Sequence, residues 1–257
     1  MGEFSKVEKE GHLTVITINR PENMNALHPP ASMELETIFN DFESDPEQWV
    51  AIITGTGDRA FSAGNDLKYQ ASGGDMSMPA SGFAGLTSRY NMVKPVIAAV
   101  NGMAMGGGFE IALACDIIIA SDKAIFALPE PKVGLAALAG GMHRLPRQIG
   151  LKRAMGMMLT ARRVAAPEAL QLGFVNEVVP HGELMAKAKQ WANEILECAP
   201  LSIRTTKQVA VQGLKYANIE DAMNANYDQM TLMFQSEDVF EGPMAFAQKR
   251  KPNWKGK

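Results

Sequence analysis

The stretch Pro95–Glu130, PVIAAVNGMAMGGGFEIALACDIIIASDKAIFALPE, decides how the rest of the chain is read. Its first six residues, Pro95–Val100, form a short apolar run with the length of a buried strand. A glycine-rich turn over Asn101–Gly108 follows, and then an apolar segment, Phe109–Cys115, that predicts a buried helix. Gly106, Gly107 and Gly108 in succession let the backbone approach a ligand closely, because no Cβ intervenes. A helix starting there aims unpaired N–H groups and the positive end of its dipole at whatever the turn holds.

Glu110 falls in the first turn of that helix, two residues past the last glycine. An acid there complements the dipole without doing chemistry. Its apolar neighbours nevertheless predict a carboxylate partly withdrawn from water, and Glu130 follows an apolar run and a proline in the same way. Two half-buried acids beside a cluster of backbone donors suit acid/base work. Spacing alone leaves chemistry and structure equally open.

Outward from this stretch, His12–Asn19 reads as a strand that stops at Arg20–Pro21. After the turn Pro21–Leu27, Met33, Leu35, Ile38, Phe39 and Phe42 supply a helical stripe. Trp49–Thr54 is another buried strand. The next residues, Gly55–Ala60, match a Gly-x-Gly-x-x-Ala dinucleotide fingerprint, but that motif requires a helix to open on it. Phe61–Asn65 has loop composition, so the dinucleotide reading is rejected. Ala63–Asp66 reads as a second tight turn presenting backbone donors. Ala71–Leu86, rich in Gly, Ser, Ala and Met, reads as a mobile loop, with Met76 and Met78 either exposed on it or packing adaptably on an apolar group.

Downstream, Asp116–Ala120 and Ala124–Ala127 read as strands. Leu151–Thr160 and Ala166–Gly173 read as helices, and Phe174–Val179 as a last strand. From Gly182 the pattern is helical, over Leu184–Cys198, Leu201–Gly213, Ile219–Phe234 and Val239–Arg250. Periodicity by itself gives an α/β chain with several short buried strands.

Composition narrows the function classes. The 257 residues are 46% hydrophobic and 21% charged, with net charge −3 and a pI near 5.9, so no basic field calls for nucleic acid. The one basic cluster, Lys249–Lys251 with Lys255 and Lys257, reads as a solvated tail. Cys115 and Cys198 are too few for a disulfide framework and read as reduced, buried small hydrophobes. The polar start, MGEFSKVEKEGH, has no apolar signal region and no run reaches membrane-spanning length, which points to a cytoplasmic protein. His12, His28, His143 and His181 show no ligand spacing, so no metal is expected.

Asn101–Gly102, Gly106–Gly108, Glu110, Cys115–Asp116, the upstream Phe61–Lys68 and Pro129–Glu130 together resemble the enoyl-CoA hydratase/isomerase (crotonase) family, from Leu13 to about Pro252. The resemblance implies an α/β fold: a spiral core of ββα turns over residues 1–195 and a C-terminal helical trimerisation region over 196–257. It implies that the N–H groups of Asn65 and Gly107 form an oxyanion hole around a thioester carbonyl. Two fixed donors roughly 2.7–3.1 Å from that oxygen stabilise a developing enolate, each by about 3 kcal/mol. Glu110 would deprotonate the water attacking Cβ and Glu130 would supply the proton at Cα. Ala26, Ala63, Asp66, Leu67, Lys68, Leu138, Phe246 and Lys249 would contact substrate or CoA. The expected partners are an acyl-CoA and further copies of the chain, as a trimer or hexamer. No cofactor beyond the substrate's own CoA is implied.

One segment departs from the family pattern. Where hydratases usually carry Pro-Gly before a Gly-Gly pair, this chain has Ala137–Leu138–Ala139 before Gly140–Gly141. The bulk of Leu138 keeps other members of the family in view: an isomerase, a hydratase-lyase, a carnitinyl-type dehydratase or a thioester hydrolase acting on branched or aromatic acyl groups. Outside the enzyme class, the rival is a non-catalytic CoA-thioester or RNA-binding protein.

Overall fold

The computed structural model describes residues 2–257; Met1, the first residue of the polar N-terminal segment, lies outside the described residues. Strands β1 (Ser5–Glu10), β2 (Leu13–Ile18), β3 (Val50–Gly55), β5 (Val96–Val100), β7 (Ile117–Ser121) and β10 (Glu177–Val179) make a six-stranded sheet in that order. A smaller sheet holds β4 (Ala60–Ser62), β6 (Met103–Met105), β8 (Ile125–Ala127) and β9 (Val164–Ala165). Pairing is parallel except for β1–β2 and β8–β9.

The connectivity repeats. In β3–β4, β5–β6 and β7–β8 the first strand enters the large sheet and the second the small one. Helices α2 (Leu67–Ala71) and α3 (Gly107–Ala114) follow the first two pairs. A 3-10 turn (Glu130–Val133) and α4 (Gly141–Ile149) follow the third. This is the ββα spiral the resemblance implies.

Both faces of the large sheet are covered. Ile16, Ile18, Ile53, Ala98, Val100 and Ile118 share one core with the small sheet, with α1 (Pro29–Ser44) and with α3. Val15, Ile52, Ile97, Ala99 and Ile119 pack under Leu184, Ala188 and Ala192 of α7 (Leu184–Leu196). Burial on both sides is why these strands read as unbroken apolar runs.

Several elements differ from expectation. The polar N-terminus contains β1, an edge strand whose outward Lys6, Glu8 and Glu10 are tolerated because only one side pairs. The supposed turn Asn101–Gly108 holds β6, and the loop-like Ala60–Ser62 is β4; three-residue strands leave too little periodicity to read. The last strand is shorter than Phe174–Val179. Ile219–Phe234 is two helices, α9 (Ile219–Asn224) and α10 (Asp228–Gln235), because buried Tyr227 turns inward and donates its hydroxyl to Ala222 O. Cys198 is exposed, not buried, since α7 ends at Leu196 and the thiol lies past its apolar face. The Ala71–Leu86 loop ends in the buried turn Phe83–Gly85.

The basic tail is held rather than free. After α11 (Asp238–Ala247), Arg250 pairs with Glu241, and the Lys255 and Gly256 amides donate to the buried Asp238 carboxylate. Trp254 donates to Glu197 O on the α7 side of the large sheet.

The closest backbone approach in the spiral is at Gly108, where a Cβ would overlap the Ser62 carbonyl of β4. Gly108→Ala should therefore lower the melting temperature by at least ~10 °C or abolish folding. Gly156, in α5 (Leu151–Thr160), has open space around it, and Gly156→Ala should be neutral or slightly stabilising. Circular dichroism melts of the two variants check both statements.

Candidate active site

Two glycine turns meet back to back. Gly106 (φ 55°, ψ −124°) caps α3 in a conformation open to glycine, and Gly64 (φ 84°) turns the chain after β4. A Cβ on Gly64 would lie 2.9 Å from Gly107 N. The Asn65 and Gly107 amides are thereby brought to neighbouring positions, and among the described residues neither has a hydrogen-bond acceptor. The ring of Phe83 backs this junction: a Cβ on Gly107 would come within 2.6 Å of its Cε1.

The two carboxylates stand against different glycines, Glu130 at Gly106 and Glu110 at Gly141. Glu130 stands against Gly106, whose added Cβ would be 2.7 Å from Glu130 Oε1. Glu130 Oε2 is buried with no hydrogen-bond partner, and burial pushes this carboxyl above its ordinary value. Glu110 is 3% exposed, and its Oε1 accepts from Gly141 N at 2.8 Å. Burial pushes the Glu110 carboxyl up to about 7; the Gly141 amide pulls against this and the charge of Glu130 adds to it. Both carboxyls are thus biased towards the protonated form, chiefly by burial, and the Glu130 charge adds to that bias at Glu110.

The remaining sequence candidates divide. Ala26, Ala63 and Asp66 lie beside the Gly64 turn: Leu27 N donates to Gly64 O and Asp66 N to Leu27 O. The Asp66 carboxylate is already engaged, capping α2 through Tyr69 N and pairing with the buried Arg20 at 3.0 Å. Burial pushes it up, but the Tyr69 amide and Arg20 outweigh that and hold it below the ordinary carboxylate range. Arg20 also donates to Ala26 O. Leu67 and Lys68 are exposed on α2. The Asn65 side chain donates to Gln70 Oε1 at 2.7 Å, which helps fix its turn. Leu138 is 80% exposed, in a solvent-facing run with Val133 and Leu135. Phe246 is 88% exposed, and Phe246 and Lys249 sit at the end of α11, whose tail runs to the face of the sheet opposite α3. One chain does not bring these two residues to the carboxylates.

The Gly55–Ala60 turn has an exposed tip, Gly57–Arg59, but its carbonyls are bound from within. Asn25 and Asn101 side chains bind the carbonyls of Thr56, Gly57 and Ala60, and no helix opens on the turn, in keeping with rejection of the dinucleotide reading. Sequence reasoning missed Arg20, Phe83 and the Gly141 amide. Gly140–Gly141 was visible as a pair, but its role is a backbone donor and carries no side-chain signature.

A model of the enoyl-CoA hydratase/isomerase family matches residues 8–257. The carnitinyl-CoA dehydratase of Escherichia coli is 44% identical over the full length of both chains. Among solved structures, an enoyl-CoA hydratase from Mycobacterium tuberculosis superposes with TM-score 0.92 at 36% identity. One from Mycobacterium marinum gives 0.93 at 35%; both comparisons cover 100% of each chain.

The raised Glu110 carboxyl fixes a sign for stability. Its ordinary value is 4.5 and its folded value about 7, so folding takes up a proton between them. The folded state therefore loses stability as pH rises through that window, and the loss is complete above it. Glu110→Gln removes this burden. Urea unfolding should find the variant more stable than the parent at pH 8, by at most ~3 kcal/mol, with the gap closing towards pH 5.

Proposed function

The chain belongs to the enoyl-CoA hydratase/isomerase family, and from that premise we infer that it adds water across the α,β double bond of an enoyl-CoA thioester, or removes it from the 3-hydroxyacyl-CoA. The observation that carries the mechanism is a glycine junction with two unpaired amides, with the Glu130 carboxylate against Gly106 and the buried Glu110 carboxylate held by Gly141.

The thioester oxygen binds between the Asn65 and Gly107 amides. As enolate character develops there, fixed main-chain dipoles stabilise the transition state more than the ground state. Glu110, held by Gly141, accepts a proton from the water attacking Cβ. Glu130, whose buried unpartnered oxygen favours the protonated form, delivers a proton to Cα. In dehydration the roles reverse. An isomerase needs one carboxylate to move a proton along the acyl chain; two at this junction favour the hydro-lyase.

Ala26, Ala63, Leu67 and Lys68 border the CoA side of the turn in this reading. Phe246 and Lys249, both exposed, reach the CoA of a neighbouring chain in a trimer or hexamer. The 44% identity to a carnitinyl-CoA dehydratase favours a particular acyl class, one with a quaternary ammonium at the γ-carbon.

The test is a panel of crotonyl-, longer, branched, aryl- and γ-trimethylammonio-enoyl-CoAs, followed by loss of enoyl-thioester absorbance and product mass. A gain of one water on a panel member is expected. Glu110→Gln and Glu130→Gln should each reduce that rate by ~10²–10⁴-fold. Near-parental rates in either variant would overturn the paired-acid mechanism.

A further inference from the structure

Arg144, on α4, touches two segments that the reaction depends on. Its Nη2 donates to Thr87 O at 2.8 Å and its Nη1 reaches Ala139 O at 3.4 Å. Thr87 closes the strap that begins with Phe83, the ring backing Gly107. Ala139 leads into the turn whose Gly141 amide binds Glu110. The guanidinium fills the space beside Gly140 that a side chain there would need. These contacts lie on opposite sides of one planar fork, a geometry that Lys cannot reproduce.

The surroundings are specific. Tyr90, Cys115 and Glu110 face the guanidinium from the segment before β5, the end of α3 and its first turn respectively. Glu110 in turn is faced by Glu130 from the 3-10 turn and by Arg144 from α4, with the Ala139 and Gly141 amides beside it. Arg144 is thus a cation acting on Glu110, while its own hydrogen bonds go to the Thr87 and Ala139 carbonyls.

We propose that Arg144 is a positioning residue for the reaction, holding the Gly140–Gly141 turn and the Phe83–Thr87 strap in register so that the Glu110 carboxylate and the Gly107 amide meet the same thioester. The proposal rests on the hydro-lyase reading. A carboxylate misplaced by about an ångström from its water loses on the order of a hundredfold in rate.

Arg144→Lys keeps the cation and loses the fork; Arg144→Met loses both. Against the panel substrate turned over by the parent, Arg144→Lys should lower kcat at least ~10-fold, change KM less than ~3-fold, and keep the limb of the pH–rate profile set by Glu110. Arg144→Met should lose as much rate and also move that limb upward, because removing a nearby positive charge favours the protonated acid. Parental kcat in Arg144→Lys, or a loss confined to KM, overturns the proposal. So does failure of both variants to fold by circular dichroism, which would make the guanidinium a stability element. Glu110→Gln measured alongside separates the layers: if it is inactive while Arg144→Lys is parental, only the positioning role falls, and if it is active the reading beneath falls as well.

Discussion

The contact on which the molecule depends is between two stretches of main chain: the N-terminus of α3 at Gly108 against the Ser62 carbonyl of β4. Everything around it is arranged so that no side chain intrudes. β3–β4 and β5–β6 are successive turns of one spiral, and their second strands pair in parallel, which sets the turns after β4 and β6 side by side. From there the unpaired donors of a helix start and of a tight turn can converge. Apolar layers on both faces of the large sheet give this junction a rigid base.

Withdrawal from water then differentiates the acids. Asp66 is held below the ordinary carboxylate range by a backbone amide and Arg20, against a smaller burial than that of Glu110, and serves as structure. Glu110 has a backbone donor but also a like charge nearby, and Glu130 leaves an oxygen with no partner. Carboxylates within one region are thus shifted in opposite directions because their burial and their partners differ.

The strands and helices that carry the core were legible because burial on two faces leaves long apolar runs, as at Val96–Val100 and Phe109–Leu113. Met103–Met105 was not, since three residues between glycines show no period, and neither was the break at Tyr227, which depends on where its ring is buried. At the site, the two acids and the glycine row stood out, together with the family they resemble. The Gly141 amide and the Phe83 ring did not: one is backbone, and the other is an aromatic in a Gly- and Ser-rich loop, distant in sequence from Gly107, with nothing local to mark its partner.

Val133, Leu135 and Leu138 are exposed, in the segment between Glu130 and the Gly140–Gly141 turn, whereas a Cβ at Gly108 would overlap the Ser62 carbonyl. Larger or smaller side chains are therefore sterically open at the first three positions and closed at the fourth: the molecule is permissive at its rim and exacting at its hub.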